Sequence, residues 1–278
     1  MNLILEIIKF IIYSLVIVII SKKILVPVLR KLSIALNLNS KAIGTITGIS
    51  TSMPEFLSVS FSAAVGLIDT SIYNIISSNF INLLLYILAI IFNQNTDKLK
   101  NKALKGDIVI SILTIIIPFF ILIIKIDMNL SIIPLFILLF ILFYTINQSS
   151  HKLYLKEFDE KKETKIINKQ KQLDVIMKYF ISLLITIIAL FIFGNLLSNV
   201  VENLTKLFNI SQIIIGITLG FVTSIPEIIT FFEAQKYNNK TEDKMEGVIE
   251  TTNNLLTSNL MNLCIIQSVA ILILSVIS

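Results

Sequence analysis

One block of sequence occurs twice, and both copies sit inside long apolar runs. Residues 44–55 read GTITGISTSMPE and residues 216–227 read GITLGFVTSIPE. Gly44/Gly216, Gly48/Gly220, Thr51/Thr223, Ser52/Ser224, Pro54/Pro226 and Glu55/Glu227 coincide at a single offset of 172 residues. A second block follows each copy, NIISSNFIN at 74–82 and NLLTSNLMN at 254–262, at an offset of 180. Two blocks recurring in the same order mean that one structural unit is used twice.

The runs around these blocks set the solvent of that unit. The chain is 55% hydrophobic, against roughly 45–50% for an ordinary soluble domain. The excess is concentrated in Ile/Leu/Phe stretches approaching the roughly 20 residues that a helix needs to cross hydrocarbon. Eight spans are expected, at 3–20, 42–66, 71–92, 107–125, 130–147, 175–198, 212–234 and 249–276, and residues 22–39 extend the first as an amphipathic piece. The first run is read as a retained span, since Lys22 and Lys23 follow it and no small-residue cleavage site does.

The polar stretch 148–174 carries Lys152, Lys156, Lys161, Lys162, Lys165, Lys169 and Lys171 interleaved with acids, and reads as a solvated linker. The chain thus divides into a first half, 1–147, with repeat motif 44–82; a linker, 148–174; and a second half, 175–278, with repeat motif 216–262. With the linker cytoplasmic, the loops after spans one, three, five and seven collect nearly all the lysines, as the positive-inside bias requires. Both termini are then extracellular, in a multi-pass protein of the cell membrane. The net charge of +5 reports this topology and is no nucleic-acid signal. The single cysteine, Cys264, excludes an internal disulfide and reads as a small core residue. The single histidine, His151, falls in the polar stretch and reads as a solvated loop residue; a histidine-based metal site is excluded by number.

The repeated glutamates lie on the second and seventh spans. An odd number of steps separates them, so the two copies enter the membrane from opposite sides. The expected fold is therefore an all-α membrane protein, an inverted-repeat transporter of about eight transmembrane helices, with its site near the midplane at the repeat interface.

Glu55 and Glu227 are the acids placed well inside expected spans, where an ionisable group is costly and marks function. Pro54 and Pro226 break the helix beside them and free upstream carbonyls, and Gly48 and Gly220 loosen the same stretch. Carbonyls, the hydroxyls of Thr51, Ser52, Thr223 and Ser224, and the two carboxylates then offer oxygen. Ser78 and Asn82, like Ser258 and Asn262, are spaced i,i+4 and share one helix face. Asn74 and Asn254 lie nearer the loop ends and read as packing or capping residues. An all-oxygen set suits a hard cation, and Ca²⁺ accepts irregular geometry better than Mg²⁺. Two carboxylates balance one divalent ion, and two protons or two sodium ions would balance the same charge.

The doubled pattern TS-x-PE followed by SN-xx-N resembles the cation/Ca²⁺ exchanger superfamily, nearest its sodium/calcium exchanger-like members. The resemblance implies alternating access, with spans one and six sliding as a gating bundle against a core, and Ca²⁺ bound by Glu55 and Glu227. It also implies that Thr51, Ser52, Thr223, Ser224, Ser78, Ser258, Asn82 and Asn262 line Ca²⁺ and Na⁺ sites. The implied function is a Ca²⁺-exporting antiporter driven by Na⁺ or H⁺, without enzymatic activity or cofactor. A degenerate member that binds ions or lipids without transport is the alternative. Three departures stand out. Ser77 and Thr257 occupy places where the family carries Gly, as do Tyr73 and Asn253, which implies looser helix packing. Asn262 stands where many members have an acid, leaving two site carboxylates. The family norm is ten spans, so the last two are absent from this eight-span count.

Overall fold

The computed structural model describes residues 2–36, 38–155, 169–240 and 244–277. All regular structure among them is helical: α1 (Leu3–Ile20), α2 (Val26–Ala35), α3 (Ser40–Thr51), α4 (Met53–Ala64), α5 (Ile68–Phe92), α6 (Lys102–Ile124), α7 (Ile133–Tyr154), α8 (Lys169–Glu202), α9 (Gln212–Thr223), α10 (Ile225–Lys240), α11 (Lys244–Leu260) and α12 (Gln267–Ile277). Wide π-helical turns at Ser21–Leu25 and Met261–Ile266 join α1 to α2 and α11 to α12, and another, Asn203–Leu207, follows α8.

Among the described residues seven helical runs are long and apolar enough to cross a membrane: Leu3–Leu29, Ile68–Phe92, Lys102–Ile124, Leu130–Tyr154, Ile176–Leu207, Gln212–Lys236 and Lys244–Ile277. The expected span at 42–66 is present as two helices of 12 residues each, α3 and α4, neither of which reaches crossing length alone. The break has a local cause. Ser52 sits between them at φ −78°, ψ 0°, and Pro54 occupies the first turn of α4, where a missing N–H costs nothing. The second repeat does the same: Ser224 lies at φ −79°, ψ 0°, between α9 and α10. The amphipathic continuation expected at 22–39 is α2.

Side-chain bonds sort the loops into two ends. Ser40 Oγ donates to Glu246 Oε2 at 3.2 Å, Lys41 Nζ to Gln148 Oε1 at 3.0 Å, Asn95 Nδ2 to Gln235 Oε1 at 3.0 Å and Asn101 Nδ2 to the Tyr154 carbonyl at 3.3 Å. The regions after spans one, three, five and seven therefore gather at one end. At the other, Asn203 Nδ2 donates to Glu6 Oε2 at 3.1 Å, and the Thr70 N–H to Gln212 Oε1 at 3.4 Å. Glu6 is a further buried acid, paired with Lys9 at 2.7 Å.

Helix α7 runs on to Tyr154 and α8 starts at Lys169, so both ends of the stretch 148–174 are helical; its central part, 156–168, lies outside the described residues. This extension corrects the reading of His151. It is no solvated loop residue: it is buried on the last turn of α7, with Nε2 2.6 Å from Asp107 Oδ2. Asn147, one turn earlier on the same face, donates to the other Asp107 oxygen at 2.8 Å. Polar composition alone could not tell a helix end packed on α6 from a loop.

The molecule is apolar outside and polar within. Phe92, Ile123 and Val276 are more than two-thirds exposed, whereas Thr51, Ser52, Glu55, Ser78, Asn79, Asn82, Ser224, Glu227, Ser258, Asn259 and Asn262 are fully buried. Lipid exerts no hydrophobic force between helices, so they associate through close packing and polar contacts. Helix α3 crosses α11, and α9 crosses α5, each through a glycine. A Cβ on Gly48 would lie 2.7 Å from the Asn254 carbonyl oxygen and 3.1 Å from the Ser258 nitrogen. One on Gly220 would lie 2.5 Å from the Asn74 oxygen and 2.9 Å from the Ser78 nitrogen. Asn74/Asn254 and Ser78/Ser258 are repeat partners, so one crossing is built twice. The looser packing implied by Ser77 and Thr257 does not occur. Both abut these same glycines, whose bare backbone makes room for them. Cys264 is a buried core residue, as expected.

Candidate functional site

The two helix breaks meet where α5 and α11 pass. Glu55 and Glu227 open the first turns of α4 and α10, where a carboxylate suits the positive end of the helix. The C-terminal ends of α3 and α9, the negative poles, point at the same region. Each glutamate is fully buried, and the two carboxyl groups are near enough to interact electrostatically.

The groups around them come from both repeats. Thr223 and Ser224 face Glu55, and Thr51 and Ser258 face Glu227. Ser258 Oγ donates to Glu227 Oε1 at 3.2 Å, while Ser224 Oγ makes a longer contact of 3.5 Å with Glu55 Oε1. Ser52 Oγ and Ser258 Oγ lie 2.9 Å apart. Asn82 Nδ2 donates to Ser258 Oγ and to Asn259 Oδ1, both at 3.2 Å, and Asn262 Nδ2 donates to Asn79 Oδ1 at 3.0 Å. Ser78 Oγ donates to the Gly220 carbonyl at 3.3 Å. All ten residues singled out in the sequence thus converge: Glu55, Glu227, Thr51, Ser52, Thr223, Ser224, Ser78, Ser258, Asn82 and Asn262. The Thr51 and Ser52 hydroxyls both donate to the Gly48 oxygen, at 3.3 and 3.0 Å.

Four acceptors remain. Glu55 Oε2, Glu227 Oε2, Asn82 Oδ1 and Asn262 Oδ1 are buried and have no hydrogen-bond partner among the described residues. Unpaired buried oxygens are expensive, and every one of these is an acceptor that a hard cation would satisfy. No group of three or more His, Cys, Asp or Glu comes together among the described residues, so the donor set is two carboxylates eked out by amides and hydroxyls.

Sequence reasoning left supporting residues unassigned. Asn79 and Asn259 tie the two halves, each donating through Nδ2 to the other's carbonyl at 3.2 Å. Asn74 Nδ2 donates to Ser58 Oγ at 2.6 Å, and Ser58 Oγ to the Glu55 carbonyl at 3.1 Å. In the second half, Asn254 Nδ2 donates to Thr230 Oγ1 at 2.9 Å, and Thr230 Oγ1 to the Glu227 carbonyl at 3.0 Å. Asn74 and Asn254 are therefore packing residues, buried mid-helix and not caps. Ser58 and Thr230 continue the 172-residue register three places past the glutamates, a signal that was present in the sequence.

A sequence model of the sodium/calcium exchanger protein family matches residues 7–148 and 178–278. This chain belongs to that family. Solved structures agree on the fold of the exchanger. The sodium-calcium exchanger NCX_Mj soaked with 10 mM Na⁺ and no Ca²⁺ superposes with a TM-score of 0.55 at 21% identity, covering 98% of this chain and 84% of that one. The same protein soaked with 100 mM Na⁺ and 10 mM Sr²⁺ gives 0.54 at 20% identity, covering 98% and 83%. The H⁺/Ca²⁺ exchanger CAX gives 0.60 at 11% identity, covering 96% and 69%. A search of curated protein sequences returns no match. With seven membrane-length apolar helices among its described residues, this exchanger-family chain is a multi-pass membrane protein.

Proposed function

We propose that the protein is a secondary-active cation antiporter that moves Ca²⁺ in exchange for Na⁺ or H⁺ by alternating access at the Glu55/Glu227 site. The observation that carries this reading is the set of four unpaired oxygens, two from each repeat, at the crossing of the two broken helices. Two carboxylates neutralise one divalent ion, and the same pair is neutralised by two monovalent cations or two protons, so occupancy by one species excludes the other. That competition is the elementary condition for exchange. Both NCX_Mj and CAX are named as Ca²⁺ or sodium-calcium exchangers with different partner ions, in keeping with either coupling ion here. The ligand set is Glu55, Glu227, Asn82 and Asn262, with Thr51, Ser52, Thr223, Ser224, Ser78 and Ser258 lining it, and no cofactor takes part.

The orientation proposed for the cell membrane places the lysine-rich linker in the cytoplasm. The gathering of the 40, 101, 148 and 246 regions at one end accords with it.

The test is Ca²⁺ flux in proteoliposomes under an imposed Na⁺ or pH gradient. Gradient-driven flux that disappears in both Glu55→Gln and Glu227→Gln is expected. Intact flux in both variants removes the site assignment. Ca²⁺ binding without any gradient-driven flux favours a non-transporting member. Replacing Na⁺ by choline at fixed pH separates the two coupling ions.

A further inference from the structure

Beyond Asn262 the repeats diverge. In the first half α5 continues as regular helix past Asn82, and the side chain one turn on is Tyr86. Its hydroxyl lies 2.7 Å from Thr252 Oγ1 and its ring meets Phe231 edge-on at 6.0 Å. That position is filled and satisfied. In the second half Met261–Ile266 is a π-helix, and the Gln267 N–H donates to the Asn262 carbonyl. The wide turn inserts one residue, so the side chain one turn beyond Asn262 is Gln267, five places on. Without the insertion Gln267 would point away from Asn262, as Ile87 does from Asn82; Ile87 is 41% exposed on the outer surface. Wide turns of this kind recur at functional sites.

Gln267 is 2% exposed, and neither its Oε1 nor its Nε2 has a hydrogen-bond partner among the described residues. Its helical neighbours Ile266 and Ala270 pack with Val59, Ala63 and Ile75, an apolar setting in which an unpaired carboxamide is expensive. Asn262 Oδ1, one turn below, is unpaired too. A structural glutamine would be bonded, and a packing position would be apolar; this one is neither.

We propose that Gln267 Oε1 and Asn262 Oδ1 form an outer subsite for a monovalent cation of the Na⁺ class, one helical turn from the two-glutamate site. It lies on the side away from the linker, because α11 starts at the linker end, beside Ser40, and α12 leads to the opposite end. Two neutral oxygens bring no charge to offset the dehydration of a divalent ion, so the subsite selects the monovalent one. The inference deepens the exchange reading and rests on it: a monovalent ion held here is one helical turn from the glutamates.

A binding readout tests this without relying on transport. Na⁺ bound to the folded protein raises its unfolding temperature, and the NaCl concentration giving half of that rise is measured on purified protein without Ca²⁺, with choline chloride as the ionic control. Gln267→Leu removes an unpaired carboxamide, so it is expected to unfold no earlier than the natural protein in choline. It should also raise the half-saturating Na⁺ concentration about tenfold, the size of one lost charge-assisted contact. Gln267→Asn, which withdraws the amide by one methylene, should shift it in the same direction, and Gln267→Glu should lower it. An unchanged half-saturating concentration in both the Leu and Asn variants, or no Na⁺-dependent rise in the natural protein, overturns the outer subsite. Glu227→Gln titrated with Ca²⁺ in parallel keeps the two readings apart. An unaltered Ca²⁺ response there overturns the two-glutamate site, whatever Gln267 does.

Discussion

Glu55 and Glu227 hold the same place in their repeats, and the chain treats them differently. Glu227 accepts from Ser258 of its own half at 3.2 Å, and Ser258 is braced by Ser52 at 2.9 Å and Asn82 at 3.2 Å. The serine equivalent to Ser258 in the first half is Ser78, and it turns away from Glu55. It donates instead to the Gly220 carbonyl and to Asn74 Oδ1, both at 3.3 Å. Glu55 is faced instead by Thr223 and Ser224 from across the repeat interface, the Ser224 contact being 3.5 Å. The backbone beneath is the same in both halves: Ser52 and Ser224 share their dihedral angles, and Gly48 and Gly220 make equivalent crossings. Repeated sequence has fixed the helices twice and left the hydroxyl and carboxylate rotamers unequal.

The comparison breaks most sharply at the carboxylates. Glu55→Gln and Glu227→Gln should each weaken Ca²⁺ binding by roughly hundredfold or more, since losing one charge of a buried ionic set costs about 3–5 kcal/mol. Calorimetric or radiotracer Ca²⁺ binding checks this, and a loss in only one variant would show that the site belongs to a single repeat.

The helix crossings come next. Gly48→Ala and Gly220→Ala should destabilise the protein by about 1–3 kcal/mol through overpacking. Gly220→Ala should be the worse, because its new methyl meets the Asn74 oxygen at 2.5 Å where Gly48 has 2.7 Å to the Asn254 oxygen. Thermal unfolding of the purified variants gives the order. Equal tolerance of both would mean that the crossings are looser than their geometry indicates.

The smallest effects belong to the braces. Asn74→Ala and Asn254→Ala each remove the bond to the hydroxyl under a glutamate, at 2.6 and 2.9 Å, which should cost about 1 kcal/mol, and Asn74→Ala should cost somewhat more because it also removes the acceptor of Ser78. Ser52→Ala, which withdraws support from Ser258, should weaken Ca²⁺ binding more than Ser78→Ala, whose hydroxyl faces a backbone carbonyl. A reversed order would place the stronger half of the site in the first repeat.

Much of this was legible in the residues themselves. The 172 and 180 offsets place the breaks, the glutamates and the Ser/Asn faces, because Pro and Gly act on the backbone wherever they stand and a period of 3.6 residues puts i and i+4 on one side. Ser58 and Thr230 were within reach of the same register. His151 was not: a histidine among lysines looks solvated, and only the run-on of α7 against Asp107 buries it. Nor was Gln267, whose direction depends on one residue inserted by a π-turn that no local composition announces.

By itself, then, the sequence determined a membrane-embedded, twice-used unit with its polar residues in register, since apolar length, helix-breaking residues and repetition are properties of the chain alone. Which acceptor finds a partner, which stays unpaired and which serine turns to which glutamate were decided only when α3 met α11 and α9 met α5. Hydrogen bonds are short-ranged and directional, and partners such as Ser52 and Ser258, or Ser224 and Glu55, stand more than a hundred residues apart in the chain.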